Sequence, residues 1–90
     1  MTPEEIYKEA IATYGVESQK KIAIEEMSEL INALMKFDRG RNTVEDIVTE
    51  IADVMVMMNQ MAIIYGQKAV QQQIDFKTQR LRKRLAKNDN

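Results

Sequence analysis

Four acidic side chains stand out by their spacing: Glu26 and Glu29, then Glu50 and Asp53. Each pair is three positions apart, so on a helix both Cβ atoms lie on one face. Like charges placed so closely repel, and taking an ionised carboxylate out of water without a partner costs on the order of several kcal/mol. Four of them in one place call for a counter-ion. The chain contains no His and no Cys. That excludes imidazole bases, Ser-His triads, thiolate nucleophiles, disulfides and every zinc or di-iron site built on those ligands. A cation here must be held by oxygen, which favours Mg²⁺, Mn²⁺ or Ca²⁺.

The elements that position these acids follow from sparse punctuation. One Pro and three Gly in 90 residues leave room for long helices, and no segment alternates with period two. The fold class expected is all-α, a four-helix bundle. Thr2-Pro3-Glu4-Glu5 reads as an N-cap with Pro in the first turn, and that helix should stop near Tyr14-Gly15. A second helix is predicted from about Glu17 to about Phe37, followed by a loop at Asp38-Arg39-Gly40-Arg41-Asn42. Thr43-Val44-Glu45-Asp46 resembles a capping box and opens a third helix ending at Tyr65-Gly66. A fourth is predicted over Ala69 to Leu85.

On a helical wheel Glu26 and Glu29 fall inside the stripe made by Ile22, Leu30, Ala33 and Phe37. Glu50 and Asp53 fall beside Met57 and Ile64, and the third helix is apolar nearly all round between Ile51 and Ile64. Such a helix is expected to be buried on most sides, with the acids pointing toward the core. For a single Glu-x-x-Glu a solvated rim is the ordinary explanation. Two such pairs on consecutive helices, both within apolar stripes, favour a cation site.

The length sets one domain, residues 1–90. Asp53, Asn59 and Gln60 interrupt the longest apolar stretch, so no membrane-crossing segment and no membrane partner are expected. The acidic start is unlike a signal peptide, and a cytoplasmic location is the default. Net charge is −1, but residues 77–90 carry a balance of +5 and the rest −6. The acidic body argues against binding a nucleic-acid polymer.

Glu25-Glu26-Met27-Ser28-Glu29-Leu30 and Glu50-Ile51-Ala52-Asp53-Val54, with twenty residues between Glu29 and Glu50, resemble a paired motif, Glu-Glu-x-x-Glu-Leu followed by Glu-x-x-Asp. The motif is that of the MazG-like, all-α nucleoside triphosphate pyrophosphohydrolases, a superfamily that includes the dimeric dUTPases. Tyr14-Gly15 with Gln19, and Lys77-x-x-Arg80-Leu81-x-x-Arg84-Leu85, resemble that family's entry and closing segments. The resemblance implies an enzyme that cleaves a nucleoside triphosphate between its α- and β-phosphates, giving the monophosphate and pyrophosphate. It implies Mg²⁺ as cofactor, with Mn²⁺ as a substitute, held by Glu26, Glu29, Glu50 and Asp53. Glu25 would orient water or support the ligands.

Lys77 and Arg80 are then the candidates for phosphate contacts, with a solvated basic face as the other reading. Gln19 and Asn59 are candidates for reading the base or ribose, against ordinary polar helix positions. An acidic site alone repels a triphosphate. The last helix is therefore expected to fold back, bringing Lys77 and Arg80 to the acids and leaving Arg82, Lys83 and Lys87 in solvent. The third helix's excess apolar surface implies a homo-dimer or homo-tetramer. The competing reading is a non-catalytic, oligomeric helical adaptor with a basic C-terminal interaction tail.

Overall fold

The structure, a computed structural model, describes residues 1–88. Its described residues form four helices and no strand: α1 (Pro3–Tyr14), α2 (Val16–Asp38), α3 (Val44–Tyr65) and α4 (Gln67–Asn88). The starts and stops follow local chemistry. The Thr2 hydroxyl accepts from the Glu5 amide at 3.2 Å, with Pro3 in the first turn of α1. Gly15, at φ +93°, lets α2 begin one residue after α1 ends. Thr43 and Asp46 close the capping box: Asp46 Oδ2 accepts from the Thr43 amide at 2.9 Å, and Thr43 Oγ1 accepts from the Asp46 amide at 3.3 Å. Gly66, at φ +124°, joins α3 to α4, which starts at Gln67 rather than at Ala69.

The principal packing is α2 against α3. The two helices run antiparallel: a short loop joins them at one end, and at the other Lys20 on α2 lies beside Tyr65 at the end of α3. Their seam is thin. Ala23, Ala33 and Met57 are its buried apolar residues, and Gln19 and Gln60 its buried polar ones. Small Ala side chains let the helix backbones approach, so groups on the facing sides are brought close.

Two expectations are corrected. The first is that α3 is buried on most sides. Val44, Val48, Ile51, Met55 and Met58, spaced three and four apart, form an exposed apolar stripe. A second exposed stripe on α2 holds Ile24, Met27, Ile31, Leu34 and Met35. By length and composition α3 is also apolar enough to cross a membrane, despite the polar residues that interrupt it. The second expectation is that α4 folds back over the acids. Among the described residues α4 packs on α3 alone and touches neither α1 nor α2.

The outline is accordingly open. The radius of gyration is 16.4 Å, against about 12 Å for a compact domain of this length. The accessible surface is 7130 Å². About 5,400 Å² is ordinary for a folded monomer of this mass.

Because the capping box fixes the start of α3, Thr43→Ala should destabilise the chain by about 1 kcal/mol. Urea titration followed by circular dichroism reads this. An unchanged midpoint would mean that packing, not the cap, sets where α3 begins.

Candidate metal centre

The close approach of α2 and α3 brings their acids together. One carboxylate oxygen each from Glu26, Glu29 and Glu50 lies within 4.8 Å of the others, close enough for one ion to touch all three. Glu26 and Glu50 are half-buried and Glu29 is exposed, so the group sits at the edge of the seam rather than in a core. Asp53 is exposed and stands outside this trio, but it acts on both half-buried acids.

Crowding marks the site electrostatically. Burial pushes the Glu26 carboxyl above the ordinary glutamate range, with the charges of Glu29, Asp53 and Glu50 adding to it; its protonated form also gains a hydrogen bond to Asp53. Burial likewise raises Glu50, reinforced by Glu29 and Asp53. Glu26 Oε2 and Glu50 Oε2 are both shut off from solvent with no hydrogen-bond partner. Buried polar atoms are ordinarily satisfied, so two such oxygens at one place suit donation to a cation. The all-oxygen donor set suits a hard divalent cation such as Mg²⁺.

A cleft of about 340 Å³ opens beside these acids, lined among others by Glu29, Glu50, Asn32, Lys36, Arg41 and Asn42. Lys36 and Arg41 were missed as site residues in the sequence. The signal was present for one of them: Lys36 lies seven residues after Glu29, on the same helix face two turns on. For Arg41 no helical period applies, because it lies in the loop.

The remaining candidates lie elsewhere. Glu25 is exposed on α2 and outside the trio. Gln19 is buried in the seam, 3% exposed, and does not line the cleft. Asn59 donates to the Met55 carbonyl at 2.9 Å and lines a separate cleft between α3 and α4. Lys77 and Arg80 are exposed on α4.

Comparison with protein families, with curated proteins and with solved structures finds no match to this chain.

The raised acids give a signed pH dependence. A carboxyl raised in the native state contributes stability that is complete below its unfolded value, about 4.3, and is lost as pH rises through the native value. Without metal, acidification from neutral toward that value should therefore favour folding through Glu26 and Glu50. Glu50→Gln should melt higher than the parent at neutral pH, with the gap closing in mild acid. Parallel melting curves for the two proteins across this range would show that the acids are not strained.

Proposed function

We propose that this chain is a Mg²⁺-dependent nucleoside triphosphate pyrophosphohydrolase of the MazG-like kind, acting between the α- and β-phosphates. The observation that carries the reading is the convergence of Glu26, Glu29 and Glu50, with two orphaned buried oxygens among them. Glu26, Glu29 and Glu50 would hold the cation, with Asp53 as the fourth acid of the motif. A bound divalent cation supplies charge neutralisation for the phosphates and a more acidic water.

The chain's own part is positional. The α2–α3 seam fixes the spacing of the acids, and the cleft beside them gives a phosphate chain a place to lie. Phosphoryl transfer asks chiefly for such positioning and for charge stabilisation, so the lack of histidine is no obstacle. Glu25, one position before the trio, would support the ligands or orient water.

Assembly is part of the proposal. The chain exposes about 1,700 Å² more than a compact monomer of its mass, and a standard interface removes about 800 Å² per partner. The stripes on α2 and α3 have the three-and-four spacing by which helices pair, which supports a homo-dimer or homo-tetramer. Lys77 and Arg80, exposed on α4, would meet the phosphates at their own or a neighbouring copy's site. The same apolar surface would suit a helical adaptor, but an adaptor leaves the strained acids without a purpose.

Two experiments test this. Pyrophosphate release from a panel of nucleoside triphosphates should require Mg²⁺, and Glu29→Gln or Asp53→Asn should reduce it at least about a hundredfold while helicity is kept. Normal turnover by both variants would refute the ligand assignment. Sedimentation should find a dimer or tetramer at micromolar protein; a stable, well-folded monomer would refute the assembly.

A further inference from the structure

The proposed reaction needs positive charge near the acids, and two cations outside α4 line the cleft beside them. We propose that Lys36 and Arg41 form a polyphosphate subsite in the cleft next to Glu29 and Glu50, supplied by the same chain. The inference rests on the reading of the acids as a cation site and adds where the phosphate chain lies.

Three observations point to it. First, both cations line the cleft of about 340 Å³ that Glu29 and Glu50 also line. The cleft therefore carries both signs of charge, three acids (Glu29, Asp46 and Glu50) and two cations, which matches a cation and a phosphate chain bound together. Secondly, the segment that carries Arg41 is pinned to the helix end that carries Lys36. The Arg41 amide donates to the Lys36 carbonyl at 2.9 Å, and the Gly40 amide to the Phe37 carbonyl at 2.9 Å. Gly40, at φ +69°, takes the left-handed conformation that this reversal requires. Asn42 Nδ2 donates to the Ala33 carbonyl at 3.0 Å and ties the loop to the seam, leaving its buried Oδ1 without a partner.

Thirdly, the two charges are uncommitted. Among the described residues the one ion pair is Lys20 with Glu17, so neither Lys36 nor Arg41 is neutralised by a neighbouring carboxylate. Asp46 lines the same cleft with its Oδ2 held by the capping box, and it forms no ion pair with either cation. A guanidinium fork and an ammonium held at one cleft wall are the donor types that grip phosphate oxygens.

The test is titration of inorganic pyrophosphate into the full chain by calorimetry, with and without Mg²⁺. In Mg²⁺ the parent should bind, and Lys36→Ala and Arg41→Ala should each weaken binding about ten- to a hundredfold. Arg41→Lys should recover part of the loss, and Lys83→Ala on α4 should match the parent. The Mg²⁺-induced rise in melting temperature should persist in both alanine variants, which separates this subsite from the carboxylates. If Mg²⁺ leaves the parent's melting temperature unchanged, the cation site falls. The subsite then stands only if metal-free pyrophosphate binding is still lost in Lys36→Ala and Arg41→Ala. Parent-like binding in both variants, no binding by the parent, or loss only in Lys77→Ala and Arg80→Ala would each overturn the proposal.

Discussion

Repulsion among carboxylates at the α2–α3 seam is the constraint on which the rest of this molecule turns. Ala23 and Ala33 offer little bulk, so the two helices approach closely. That closeness sets Glu26, Glu29 and Glu50 within 4.8 Å of one another. A sequence selected only for stability would place an apolar residue or a cation at one of these positions. Instead two of the three acids are half-buried, both are raised, and each keeps an oxygen without a partner. The fold tolerates this because the site lies at the rim, where water still screens part of the charge. The seam's buried Gln60, whose Oε1 has no hydrogen-bond partner, adds to the cost of holding these helices together.

The thin seam explains the openness of the chain. Among the described residues three apolar side chains are buried, little to set against the conformational entropy of four ordered helices. Exposed apolar stripes run along α2 and α3 as well. Helices with two apolar faces have one for the intrachain partner and one for something else. On α3 both faces are apolar enough that the whole helix also resembles a membrane span by composition. Glu50 and Asp53 interrupt that apolar composition and are tied electrostatically to the acids on α2.

Local chemistry was well legible in the sequence. Thr2, Pro3, Thr43 and Asp46 named their own helix starts, because caps depend on residues a few positions apart. The meeting of Glu26, Glu29 and Glu50 was legible too, since shared helix faces and an antiparallel neighbour suffice to predict it. What escaped depends on tertiary detail. The end of α2 and the path of Gly40-Arg41-Asn42 decide which cations line the cleft, and no periodicity encodes that path. The direction of α4 escaped for the same reason. Charge balance argued that the basic helix should cover the acids of both α2 and α3, but among the described residues α4 packs on α3 and not on α2. Burial of the third helix was overestimated because apolar composition states how much surface wants cover, not whether one chain can cover it.

The junction at Gly66 has a mechanical consequence. Helix α4 has 22 residues, about 33 Å at about 1.5 Å each. Its cleft with α3 involves only its first two turns, at Gln67, Val70, Gln71 and Ile74. The rest is a boom hinged on one glycine. A rotation of about 10° at the hinge carries the far end through about 6 Å, by the geometry of a rod of that length. That sweep is comparable to the distance over which charge is screened at physiological salt, about 8 Å. The torsion at one glycine therefore sets, most strongly for Lys87 near the far end, how much of the helix's positive charge an acidic neighbour meets through the salt between them.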